Sequence, residues 1–306
     1  MRWLLLLFLN LLLFHLYGQN VISGFSNQLT LDYNKSREAI VINDSISGYS
    51  NILSLNYSAE VKESQKSSIP IFYGLFIGIN DYSFNSPELG DLVNPIKDAE
   101  SLKNVLATRY EFSNERVLVL TNPTRPQIIS ALEELALKIT EKDNLLIFYA
   151  GHGVWDSRLK LGYWLSSDSK IDDKSTWISN STIRDYIGAI PSKHTLLIAD
   201  ACFGGSIYKT RNAVEKLNEW AISKIYQLPS RKAMTSGSLS VVPDESKFME
   251  YLLKRLTDNN NKYLSTRQLF YSIETAILNN TENVPQLGVI QGSGDEGGDF
   301  IFIRKD

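Results

Sequence analysis

A layered α/β architecture, with a mostly parallel sheet flanked by helices, is what the sequence predicts from residue 71 onward, and three observations predict it. Apolar runs of strand length alternate there with stretches of helical periodicity. The third of these runs, Asn144–Ala150, is apolar almost throughout, as a parallel strand is when helices cover both of its faces. The chain has 306 residues, 43% hydrophobic and 21% charged, which is enough to bury a sizeable core.

The elements follow in order. Phe72–Ile79 is the first strand, and a helix from about Pro95 to Arg109 starts on a proline suited to the first helical position. Its apolar face is Ile96, Ala99, Leu102, Val105 and Leu106. Arg116–Leu120 is the second strand. The next helix, about Pro126 to Ile139, buries Ile128, Leu132, Leu135, Ala136 and Ile139 and leads into the third strand. Asn180–Ile190 is a helix, His194–Asp200 the fourth strand and Lys232–Ser236 a shorter fifth. Helices at Glu245–Thr257 and Ser265–Leu278 precede a last strand, Phe300–Arg304.

Upstream the character differs. Met1-Arg2-Trp3 opens a short apolar run to Tyr17 that Asn10 and His15 interrupt, and this reads as a secretory signal peptide over residues 1–19. The run is shorter than the ~20 apolar residues of a spanning helix. The mature chain is therefore expected outside the cytoplasm, secreted or periplasmic, and on a membrane only if that segment is retained. Residues 20–70, rich in Ser and Asn, read as an N-terminal extension or linker, and residues 71–306 as the folded domain.

Charge excludes whole classes of function. Thirty-one basic against thirty-four acidic side chains leave a formal charge of −3, so no global field draws in nucleic acid or an anionic membrane. A single cysteine, Cys202, excludes an internal disulfide and a cysteine zinc site. Gly292-Ser293-Gly294-Asp295-Glu296-Gly297 fits a dinucleotide fingerprint by letters only, because no strand and helix bracket it.

The chemistry gathers where two central strands end, the place where open α/β sheets bind ligands. The third strand runs out into Gly151-His152-Gly153 and the fourth into Asp200-Ala201-Cys202-Phe203-Gly204-Gly205. Small residues beside His152 let a substrate backbone approach. A thiol beside an imidazole can lose its proton to it, giving a thiolate nucleophile and an imidazolium that later protonates a leaving amine. Of three histidines, His15 lies in the segment expected to be removed. His194 stands eight residues before Cys202 on one strand, on the order of 26 Å away at about 3.3 Å per residue. That leaves His152.

Over about Tyr73 to Phe302 the sequence resembles the caspase-like cysteine peptidases, which include caspases, metacaspases and bacterial relatives. The carriers are Tyr73–Tyr82, Lys97-Asp98-Ala99, Tyr149–Gly153, Asp200–Gly205 and Gly297–Phe300, with 50 residues from His152 to Cys202. The resemblance implies a three-layer sandwich around a six-stranded sheet. It also implies His152 as general acid/base, Cys202 as nucleophile, and an oxyanion hole from the backbone N–H groups of Gly153 and Cys202. Where caspases have Gln two positions before the nucleophile, this chain has Asp200, as metacaspases do. Phe203 replaces the His usual in metacaspases. Asp98 matches their second pocket carboxylate, and Ser236 falls in the strand that pairs with substrate backbone.

These readings imply a cysteine endopeptidase that cuts after Arg, and less readily Lys, in protein or peptide substrates. An acyl-transfer ligase on the same dyad and a catalytically idle scaffold module are the alternatives. If Asp98 follows a strand adjacent to that of Asp200, both carboxylates line one pocket. Lys209, Arg211, Lys216, Lys224, Arg231 and Lys232 make the stretch after Gly205 a candidate for self-cleavage. No cofactor is expected; Asp172-Asp173 is an acidic pair that could attract calcium, as in some metacaspases, but it lacks a ligand loop.

Overall fold

The computed structural model describes residues 70–84, 86, 89–201, 208–210, 218–237 and 245–306; for 208–210 only the backbone is described. The signal peptide, residues 20–69, Cys202–Gly205 and the basic residues Arg211 and Lys216 lie outside the described residues.

Strands alternate with helices along the chain. β1 (Phe72–Gly78), α1 (Pro95–Arg109), β2 (Phe112–Thr121), α2 (Arg125–Lys138) and β3 (Asn144–Ala150) come first. Three short strands follow, β4 (Gly153–Asp156), β5 (Leu161–Trp164) and β6 (Ile178–Ser179), then α3 (Asn180–Ala189) and β7 (His194–Asp200). The remainder is β8 (Tyr208–Thr210), α4 (Glu219–Gln227), β9 (Ser230–Thr235), α5 (Lys247–Asp258), β10 (Tyr263–Ser265), α6 (Thr266–Asn280), β11 (Gln286–Ile290) and β12 (Ile301–Ile303).

The main sheet runs β2-β1-β3-β7-β9-β11-β8. Its first five strands are parallel, β11 turns antiparallel to β9, and three-residue β8 extends the far edge. Every residue of β1, β3 and β7 is buried, and the side-chain alternation divides each strand between two cores. On one face Leu75, Ile77, Leu145, Ile147 and Leu197 pack with Ile128 and Leu132 of α2 and with Ile183 and Ile187 of α3. On the other, Phe76, Leu146, Phe148, Leu196 and Ile198 meet Leu102 and Leu106 of α1, Leu252 of α5 and Ile273 of α6. This is the three-layer sandwich that the sequence predicts.

The expected last strand takes a different place. β12 pairs with β10 in a separate two-stranded ribbon, and the sixth strand of the main sheet is β11. Gln-Leu-Gly-Val-Ile is short, follows Pro285 and has a glycine at its centre, so its periodicity is faint; its pairing with β9 makes it a strand. The β4-β5-β6 sheet and α4 also escape the sequence pattern. The glycine-rich run near the C-terminus forms a turn after β11, with Asp295 Oδ2 accepting from Arg231 N at 2.9 Å.

Two basic residues of the proposed self-cleavage stretch are structural. Arg231 and Lys232 are buried in β9: the Arg231 guanidinium donates to the carbonyls of Ser192 and Ser230, and Lys232 Nζ lies 2.9 Å from Asp299 Oδ1. A residue whose backbone sits in the middle of a sheet offers no bond to an active site, so neither is a cleavage point. Lys224 belongs to α4, its ammonium 3.5 Å from the centre of the Trp220 ring.

His194 begins β7 at the opposite end from Asp200. It is fully buried, with Nδ1 2.8 Å from Ser230 Oγ and Nε2 3.1 Å from Tyr226 O, and burial pushes its pKa down to about 3. The folded state resists protonation that the unfolded chain accepts near pH 6.5, so His194 costs stability as pH falls from about 6.5 towards 3, by up to ~1.4 kcal/mol per pH unit. In thermal melts between pH 7 and 4.5, His194→Gln should lose less melting temperature than wild type; equal losses would show that this histidine does not drive acid unfolding.

Candidate active site

The site is built at the carboxyl ends of β3 and β7. These strands pair in parallel over seven positions, ending with Ala150 opposite Asp200. His152 stands two residues beyond Ala150, and Cys202 is two residues beyond Asp200 in the sequence. Adjacent strands are about 4.8 Å apart, so the register brings the two exits side by side.

His152 is held by the loop between β1 and α1, which sequence reasoning had no signal to bring here. Asn122, with φ of 48°, accepts from Asn80 N at 2.8 Å and Asp81 N at 3.1 Å. Asn80 in turn accepts from Ile96 N and donates to Val93 O. Tyr82 N donates to Asp91 Oδ1 at 2.9 Å. So fixed, the loop presents the carbonyl of Gly90, 2.7 Å from His152 Nε2. A carbonyl oxygen can only accept, so Nε2 carries the hydrogen and the lone pair is on Nδ1.

After His152 the chain enters β4. Leu165 N donates to His152 O at 3.1 Å, which makes Gly153 and Trp164 a wide pair of the antiparallel ladder. In such a pair the N–H points away from the partner strand, and β4 is the edge of its sheet. The Gly153 N–H therefore turns away from β5, available to a developing oxyanion.

Asp200 is buried, and its Oδ1 has no hydrogen-bond partner among the described residues. Burial pushes its carboxyl above the ordinary carboxylate range, while the nearby hydroxyls of Ser236 and Ser246 act the other way. Ser236 is also buried; its N–H donates to Ala199 O at 3.1 Å, and its Oγ completes no hydrogen bond of good geometry. Two buried polar groups thus meet at the end of β7 with capacity to spare.

Asp98 is half-buried in the first turn of α1, its N–H bonded to Asn94 O. The expectation that its strand neighbours that of Asp200 fails. β3 lies between β1 and β7, because a strand apolar on both faces belongs in the middle of the sheet. The described groups that act on the Asp200 carboxyl are Ser236 and Ser246, not Asp98.

Among the described residues no cluster of three metal-ligating side chains occurs, and no helix is long and apolar enough to cross a membrane. Asp173 is committed to the chain itself, its Oδ1 accepting from Ser175 N at 3.0 Å to cap a short 3-10 turn.

Comparison with known proteins places the chain in a family. The chain is 28% identical over 166 residues to Metacaspase-1 of Eremothecium gossypii, covering 48% of this chain and 36% of that protein. It is 30% identical over 146 residues to Metacaspase-4 of Arabidopsis thaliana, covering 44% and 33%. The chain thus spans about a third of the length of these curated relatives. The crystal structure of Caspase-1 from Spodoptera frugiperda shares the fold, with a TM-score of 0.51 at 16% identity over 72% of this chain and 87% of that one. The family description "Caspase domain" matches residues 73–289, well over half the chain, and the chain belongs to that family of caspase- and metacaspase-type cysteine peptidases.

Proposed function

We propose that the protein is an exported cysteine endopeptidase that cuts after basic residues through a Cys202–His152 dyad. The observation that carries this reading is the fixed His152 ring: Nε2 donates to Gly90 O and leaves Nδ1 free to take a proton. The Cys202 thiol passes its proton to Nδ1, and the thiolate attacks the scissile carbonyl. The oxyanion accepts from the N–H groups of Gly153 and Cys202, and the imidazolium returns the proton to the leaving amine. Water, deprotonated by the same imidazole, then attacks the thioester and releases the acid product and the thiol.

Fluorogenic peptides, with and without an added amine acceptor, separate the readings. Hydrolysis in both conditions supports the peptidase; product appearing only with the amine would make the protein a ligase; no turnover would favour a scaffold module. Cys202→Ala and His152→Ala should each lose activity by about 10⁴-fold or more, and the double variant should be little worse, because the pair acts as one unit. Near-normal turnover by Cys202→Ala would sink the thiol mechanism. The same comparison tests self-processing, since any fragment that wild type produces and Cys202→Ala does not is a product of the dyad.

Specificity for Arg over Lys, with Asp rejected, is proposed to rest on Asp200. Its Oδ1, without a hydrogen-bond partner among the described residues and beside the Ser236 hydroxyl, could receive a guanidinium through forked, charge-assisted hydrogen bonds. Asp98 stands further along the sheet and is proposed only as a contributor to the field at the mouth. Because burial raises the Asp200 pKa, kcat/KM for Arg substrates should climb as pH rises through it, the ionised carboxylate being the form that holds a cation.

The sign for stability is opposite. A raised folded-state pKa means that Asp200 disfavours the empty fold increasingly as pH rises above the unfolded value. Asp200→Asn should therefore raise the melting temperature at neutral pH while lowering kcat/KM on Arg peptides about a hundredfold. A variant that keeps Arg cleavage, or a wild type that prefers Asp peptides, would refute the pocket.

Export is proposed from the N-terminal apolar run. Mass spectrometry of the mature protein should place its first residue near Asn20; an intact Met1 in a membrane fraction would instead mean that the segment is kept as an anchor.

A further inference from the structure

We infer that Tyr82 and Tyr149 are positioning residues that clamp the backbone of His152, one at its N–H and the other at its carbonyl. The inference rests on His152 being the base proposed above. The His152 N–H donates to Tyr82 Oη at 2.7 Å, and Tyr149 Oη donates to the His152 carbonyl at 2.6 Å, reaching Leu165 O at 3.0 Å as well. Carbonyl oxygens only accept, so the Tyr149 proton is committed to them, and the Tyr82 oxygen accepts from the His152 N–H.

Burial suits both tyrosines to this work. Tyr82 is 3% exposed and Tyr149 fully buried, and desolvation holds the Tyr82 hydroxyl far above its ordinary pKa, so it remains a donor at any working pH. The Tyr82 ring also packs against the imidazole, centroids 4.8 Å apart at 51°, and the Tyr149 ring stacks on Trp164 at 4.3 Å. With its backbone gripped at N and O, its ring braced by Tyr82 and Nε2 tied to Gly90 O, His152 has little freedom left to turn.

The two hydroxyls also explain Gly151. A Cβ there would lie 2.9 Å from Tyr82 Oη and 3.1 Å from Tyr149 Oη, and φ at this residue is +156°. The space beside Gly151 is thus occupied by the tyrosine hydroxyls. The sequence reading, in which small neighbours of His152 serve substrate approach, is corrected at this position.

Ring NMR of ¹⁵N-histidine-labelled protein together with peptide kinetics tests the clamp. Wild type should show His152 in one neutral tautomer, protonated on Nε2, with a strongly exchange-protected amide; His194, neutral down to pH about 3, is the internal reference. In Tyr82→Phe and Tyr149→Phe, His152 should populate both tautomers, and kcat should fall about tenfold with KM within twofold. Unchanged imidazole signals with kcat within twofold would overturn the inference. If the variants fail to fold, a freely exchanging His152 amide in wild type overturns it just as directly, and a protected one supports it. Should wild type cleave no peptide, the peptidase reading falls while the NMR result still decides the clamp.

Discussion

The parallel pairing of β3 with β7 is the constraint on which the rest of the molecule depends. Both strands are buried along their whole length, and only helices on both faces can cover them. With the ladder in register from Asn144–His194 to Ala150–Asp200, a slip of one residue would turn every apolar side chain to the wrong core and part the two exits from the sheet. The same hydrophobic alternation that closes the two cores therefore sets the geometry of the carboxyl end, where the candidate site lies. Fold stability and site geometry are one specification here.

Polar groups are distributed unevenly along this ladder. At its amino end His194 is satisfied by Ser230 and Tyr226 and kept neutral, and nearby Arg231 donates to a set of carbonyls. At its carboxyl end the buried Asp200 Oδ1 and Ser236 Oγ have no hydrogen-bond partner among the described residues. A buried carboxylate without a cation is costly, and such a cost is retained where a ligand offsets it. The contrast between the ends is what supports the proposal that substrate binds at the carboxyl end.

The loop after β1 is the second support of the site. Asn122 anchors it from the end of β2, Asp91 from within, and it brings Gly90 O and Tyr82 to opposite aspects of His152. The imidazole is thus oriented by backbone and tyrosine.

The sequence by itself determined the α/β class, the helices over both faces and the placing of His194 at the opposite end of its strand from Asp200, because apolar periodicity and strand length are local properties that a reader can count. It did not determine β11, whose short, glycine-centred run becomes a strand only by pairing with β9, nor the separation of Asp98 from Asp200, which depends on which strand occupies the centre of the sheet. Arg231 and Lys232 looked like surface charge because charge in a sequence carries no sign of burial; Asp299 and a ring of carbonyls, contributed from distant segments, are what bring them inside. The grip of Tyr82 and Tyr149 on His152 was equally invisible. Tyr82 lies 70 residues from the histidine it holds, and only the closure of the β1 loop over the end of β3 brings the two together.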